Sequence, residues 1–147
     1  MKNLFLSILL FFTACTTNDI LAHCQVPCGI YGDQNRFEQM LEDQSTIEKA
    51  SKLINELSGK KDAQSQNQLS RWVATKESHA SAVQNTIADY FMAQRIKSSD
   101  SKYEDKLTKA HAVIVSAMKC KQSVDAKNAS SLKEAILSFH KAYENKK

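Results

Sequence analysis

From Asp33 onward the chain alternates apolar and polar residues with a helical period. Phe37, Met40, Leu41, Ile47, Ala50, Leu53, Ile54 and Leu57 fall mostly three or four positions apart, which places them on one face of a first helix. The stretch Ser58-Gly59-Lys60-Lys61-Asp62 closes it. A second periodic segment carries Leu69, Trp72, Val73, Ala80, Val83, Ile87, Tyr90 and Phe91, up to the polar break Ser98-Ser99-Asp100-Ser101. Leu107, Ala110, Ile114, Ala117 and Met118 mark a third helix, and Leu132, Ala135, Ile136, Phe139 and Tyr143 a fourth. Short polar links force neighbouring helices to run in opposite directions, so the pattern predicts an all-α, antiparallel up-down four-helix bundle. Gly32-Asp33-Gln34-Asn35 reads as a turn ahead of the first helix, with Asp33 or Asn35 as its cap. No segment calls for a strand, and there is no internal repeat or low-complexity tract.

The first 22 residues follow a different pattern. Lys2 precedes the apolar run Leu4 to Phe12, and a polar stretch leads to Ile20-Leu21-Ala22, the layout of a targeting segment. Nine residues are too few for a stable membrane span. Cleavage after Ala22 would expose His23 and give the organisation 1–22 signal peptide, 23–31 short N-terminal hook, 32–147 bundle. The protein is then expected to be exported, to a periplasm or to the outside. The competing boundary is Phe12-Thr13-Ala14-Cys15, a lipoprotein-like box that would keep Cys15 as a lipid anchor.

Composition fits a single helical domain: of 147 residues 42% are hydrophobic, with three glycines and one proline. A mature chain of about 125 residues buries roughly two-thirds of its unfolded surface, so the bundle can fold without a metal. The formal charge of +4 is mild and diffuse. With no stripe of basic and aromatic residues it gives no reason to expect a nucleic-acid partner, though it favours small anions near the surface.

Candidate chemistry is concentrated in nine residues, His23-Cys24-Gln25-Val26-Pro27-Cys28-Gly29-Ile30-Tyr31. Two thiols lie on one loop in which Pro27 fixes one φ angle and Gly29 permits a turn that an ordinary side chain would resist. If His23 is the first residue, its α-amine, its imidazole and the Cys24 amide nitrogen join them. Two nitrogens and two sulfurs in a plane suit nickel(II) or copper(II), whereas zinc prefers a tetrahedron. Simpler readings exist. Cys24 and Cys28 could form a disulfide in an oxidising compartment, although the three residues between them do not match a thioredoxin-type motif. Cys120 reads as a helix residue, and His79, His111 and His140 as ordinary helix histidines. The carboxylate of Glu38 suits a helix start in any case.

The string His-Cys-x-x-Pro-Cys-Gly-x-Tyr resembles the signature of nickel superoxide dismutases. Arg36-Phe37-Glu38 after the hook and Asp89-Tyr90-Phe91 at the end of the second helix extend the likeness. The resemblance implies a nickel cofactor, one ion per subunit, bound by the His23 amine and imidazole, the Cys24 amide and sulfur, and the Cys28 sulfur. It implies superoxide as substrate, a protease that frees His23, and a homohexamer whose subunits cover the hook. It also gives Tyr31 a place lining the substrate pocket, Tyr90 a part in restricting access, and Glu38 the task of orienting the imidazole. Anionic thiolate and amide donors would stabilise Ni(III) and bring its potential into the range superoxide can cycle. An arginine is expected beside the imidazole, for which Arg71, Lys76 and His79 compete. The rival reading is an exported helical bundle that binds or delivers nickel or copper without turnover.

Overall fold

A computed structural model describes residues 32–144, and all four expected helices are present: α1 (Asp33–Leu57), α2 (Ala63–Asn85), α3 (Tyr103–Gln122) and α4 (Ala126–Glu144). No strand occurs among the described residues. The signal segment, Cys15 and the hook residues His23, Cys24, Cys28 and Tyr31 lie outside this range. Helix α2 does not stop at Asn85. It continues through Thr86–Arg95 in π form, closing with the i→i+5 bond from Ile96 N to Phe91 O at 2.8 Å.

Contacts between distant residues fix the directions. Asp43 meets His79, Lys76 meets Cys120, Gln84 meets Ile114, Gln44 meets Ala129, and Asn55 meets Val124. Taken two at a time, Asp43–His79 with Lys49–Trp72, Lys76–Cys120 with Gln84–Ile114, and Gln44–Ala129 with Asn55–Val124, an advance along one side matches a retreat along the other, so these neighbours are antiparallel and α4 closes the ring against α1. The Asp62 carboxylate caps α2 by accepting from Ser65 N at 2.9 Å. Glu104 and Asp105 in the first turn of α3, and Lys119 and Lys121 in its last, complement the helix dipole.

The core is formed by the residues with helical spacing. Phe37, Met40, Ile47, Ala80, Val83, Ile87, Phe91, Val113, Leu132, Ile136 and Phe139 are all buried. Periodicity alone claimed too much at two positions: Val73 is 41% and Met118 40% exposed. The first three turns of α2 bury nothing, and Trp72 there is only half-buried, with Lys49 Nζ 5.7 Å from its ring centre. Periodicity also missed the buried polar residues. Lys76, 3% exposed, donates to the carbonyls of Cys120 at 2.6 Å and Lys121 at 2.7 Å, satisfying the last turn of α3 from inside the bundle. Asp43 pairs with His79 at 2.7 Å, and Gln44 donates to the Ala129 carbonyl at 3.0 Å.

Candidate metal-hook end of the bundle

The start of α1, the π segment and the last turn of α4 meet at one end of the bundle, and the chain enters this end from Tyr31 through Gly32. Gly32 is exposed, extended (φ −67°, ψ 151°), and offers no side-chain cap. Asp33 is therefore the first helical residue and not a cap, which corrects the turn expected at 32–35. Its carboxylate turns instead toward the rest of the bundle. Tyr90 Oη donates to Oδ1 at 2.6 Å and Tyr143 Oη to Oδ2 at 2.7 Å. Arg95 Nε lies 3.0 Å from Oδ1 as an ion pair, off the line of a hydrogen bond, and another Arg95 nitrogen donates to Tyr90 Oη at 2.9 Å.

The π winding explains how Arg95 reaches Tyr90. At 3.6 residues per turn, side chains five apart point about 140° away from each other. With i→i+5 bonds, residues five apart share a face. Arg95 thereby lies with its guanidinium 5.0 Å from the Tyr90 ring centre, and Arg36 approaches the same ring at 5.7 Å.

Beneath this polar layer is an aromatic floor. Phe37, one turn after Asp33, lies 4.7 Å from Phe91, 5.4 Å from Phe139 and 5.6 Å from Tyr143, and stacks on His140 at 4.1 Å. Burial, and then donation to Asp33, push the Tyr90 and Tyr143 phenols above their ordinary range, so both hydroxyls stay protonated donors at neutral pH. The hydrogen bond to Tyr90 in turn raises Arg95, which is charged throughout.

An open cleft of about 350 Å³ adjoins the cluster, lined by Arg95, Lys97, Lys106, Asp100, Asp33 and Tyr143. Lys106 pairs with Asp100, whose carboxyl this contact holds below the usual range. Arg95 pairs with Asp33 and Lys106 with Asp100, so three cations against two carboxylates leave the cleft with a net charge of about +1, contributed by Lys97.

Of the residues singled out from the sequence, Tyr90 stands in this cluster. Glu38 does not: it is exposed on another flank of α1, about 140° round the helix from Asp33, and its carboxylate accepts from Gln34 Nε2 at 2.9 Å. The three candidates for a basic residue near the imidazole lie away from this cluster. Arg71 is exposed on the first half of α2, Lys76 is buried against the far end of α3, and His79 is paired with Asp43 at mid-bundle. The arginines at the hook end are Arg36 and Arg95. Sequence reading missed Asp33, Arg95 and the polar use of Tyr143. The first gave a turn signal, the last an apolar-face signal, and Arg95 no signal at all.

Among the described residues no group of three or more His, Cys, Asp or Glu side chains is placed to hold a metal ion. Cys120 is buried at 1% exposure and its thiol is pushed up to about 11, which suits neither a ligand nor a nucleophile. The donors expected from the sequence, His23, Cys24 and Cys28, lie outside the described residues; two thiolates with an amine and an amide nitrogen would be a set that suits nickel. Among the described residues no helix is long and apolar enough to cross a membrane.

Comparison with known proteins gives one finding. The sequence model of a protein family described as nickel-containing superoxide dismutase matches residues 18–147, which takes in the hook and all four helices. Searches of curated proteins and of solved structures return no match.

Proposed function

This chain belongs to the nickel-containing superoxide dismutase family, an oxidoreductase family with nickel as cofactor, and we propose that residues 23–31 form its working hook. In this reading one nickel per subunit is held by the His23 amine and imidazole, the Cys24 amide nitrogen and thiolate, and the Cys28 thiolate. Bound nickel supplies one-electron chemistry, Ni(III) to Ni(II) and back, by which one superoxide becomes oxygen and a second, with two protons, becomes hydrogen peroxide.

The chain's own residues do the remaining work. Two thiolates and a deprotonated amide concentrate negative charge at the donor set, which favours the higher oxidation state. Tyr31 lines the approach for superoxide. Tyr90, 7% exposed and fixed by Asp33 and Arg95, narrows access from the bundle side. Glu38 orients the imidazole; its exposed position one turn into α1 leaves its carboxylate able to accept a further bond. The net positive charge of the cleft, carried by Lys97 beside the Arg95–Asp33 and Lys106–Asp100 pairs, weakly favours an anionic substrate at this end.

The observation that carries the reading is the family match spanning a complete donor set in nine consecutive residues. We propose further that residues 1–22 are removed by a protease during export to a periplasm or the outside. A homohexamer would cover exposed apolar side chains such as Val73, Met92 and Leu137.

Processing and activity are testable together. The intact mass of protein from its native compartment should begin at His23, with nickel and superoxide turnover in the same sample. One glycine added ahead of His23 turns the amine into an amide and removes a ligand, so turnover should fall by about 100-fold or more, a loss typical of removing a single essential contact. Full activity from the extended or unprocessed chain would refute the ligand assignment.

A further inference from the structure

We propose that Asp33 is a positioning residue for the hook, with Tyr143 and Arg95 as its supports: their clamp sets the point at which the chain leaves the bundle toward Cys28. The proposal rests on the reading of residues 23–31 as the nickel hook.

A helix start is ordinarily its loosest part, because the first four N–H groups lack intrahelical partners. Here no side chain caps the helix, and Gly32 leaves it extended and exposed. Yet the first helical residue is tied to the ends of two other helices. The two carboxylate oxygens of Asp33 accept separately from Tyr90, in the π segment, and from Tyr143, one residue before the end of α4. Arg95 adds its charge at 3.0 Å and grips Tyr90 as well. Asp33, Arg95 and the two phenols thus form a closed set that joins the root of the hook to the end of the second helix and the end of the fourth.

An aspartate that served only to start a helix would need none of this; any acidic residue in the first turn does as well. The π segment points the same way. Such winding is rare and frequent at functional sites, and its effect here is to bring Arg95 onto the face of Tyr90 and Asp33. The geometry of the chain then transmits the position. Cys28 lies five residues before Asp33, and an extended chain spans at most about 3.5 Å per residue, so the Cys28 Cα is tethered within about 17 Å of the Asp33 Cα. A shift of the root therefore moves the ligands relative to Tyr90 and the cationic cleft, both of which stay with the bundle.

The test uses full mature chains beginning at His23, each loaded with nickel: wild type, Asp33→Ala and Tyr143→Phe. The last removes one hydroxyl and keeps the ring packed against Phe37, Phe91 and Phe139, so its fold is secure. Turnover per bound nickel, thiolate-to-nickel absorption and the electron paramagnetic resonance of oxidised nickel are recorded beside the melting temperature of the metal-free proteins. Asp33→Ala should lose about tenfold or more in turnover per nickel, the scale expected of a sub-ångström to ångström misplacement, with both spectra altered. Tyr143→Phe should shift the same readouts in the same direction by less. Unchanged spectra and unchanged turnover per nickel in both variants, whatever happens to melting, would overturn the proposal and leave Asp33 as part of the bundle's packing. Wild type beginning at His23 that shows no thiolate–nickel absorption would overturn the hook reading itself, and this inference with it.

Discussion

Phe37 is the side chain on which the hook end rests, and removing its ring tests whether the aromatic floor holds that end in place. It is 1% exposed and has four ring neighbours within 6 Å, from Phe91 in the π segment to Phe139, His140 and Tyr143 in α4. Truncating a buried Phe to Ala costs about 3–5 kcal/mol through lost transfer energy and the cavity left behind. The rings around it add about 0.5–1.5 kcal/mol for a favourable pair, so Phe37→Ala belongs near the top of that range. Domains of this size are stable by about 5–15 kcal/mol, so the loss consumes much of the margin. At about 3–5 °C per kcal/mol the melting temperature should fall by about 12–25 °C. Phe37→Leu, which keeps most of the apolar volume, should cost about 1–2 kcal/mol. Urea unfolding of metal-free protein followed by far-ultraviolet circular dichroism measures this without metal binding masking the loss. A loss below about 1.5 kcal/mol in Phe37→Ala, with an unchanged urea slope, would refute the idea that this cluster is the rigid base of the site.

Two further predictions concern the opposite end of the bundle. Lys76→Met keeps the apolar stem but leaves the Cys120 and Lys121 carbonyls without their donor; each orphaned acceptor costs about 1–3 kcal/mol, partly offset because no charge is then buried. A net loss of about 2 kcal/mol and faster amide exchange in the last turn of α3 are expected, and a neutral effect on both would contradict the capping role. The Cys120 thiol is pushed by burial from an ordinary value near 9 to about 11. Across that interval the unfolded chain gives up its proton while the folded chain keeps it, so stability falls as pH rises, by at most about 2–3 kcal/mol from this group. Cys120→Ala should flatten the alkaline decline in unfolding free energy; superimposable curves for the two proteins between pH 9 and 11 would rule the effect out.

The four helices were legible because each must bury a stripe, and Phe37, Met40, Ile47, Val83, Ile87, Leu132, Ile136 and Phe139 carry that stripe at helical spacing in the sequence and sit in the core. Val73 and Met118 show the limit of the method, since period alone cannot tell a core face from the margin beside it. The family was legible for a different reason: its signature residues fall within nine positions, 23 to 31, so the resemblance is written locally, and it agrees with the family match over 18–147. Buried polar residues left no comparable trace. Lys76 looks like any helix lysine until the end of α3 is found beside it.

Arg95 shows why contacts between helix ends resist sequence reading. Arg71, Lys76 and His79 compete in the sequence because it fixes no register for the second helix against the first, and under uniform α-winding Arg95 would point about 140° away from Tyr90. The π segment Thr86–Arg95 changes the register by roughly a residue per turn, and with it the face on which Arg95 lies. Nothing in the string Thr-Ile-Ala-Asp-Tyr-Phe-Met-Ala-Gln-Arg announces that change, since none of these residues breaks a helix and propensity barely separates the two windings. What favours the wider form is tertiary: Ile87, Tyr90 and Phe91 all find buried places, and Arg95 finds Asp33 from a helix that begins 62 positions earlier. The positions of Asp33, Tyr143 and Arg95 thus follow from how helix ends converge in space, and they became visible only once the helices were assembled.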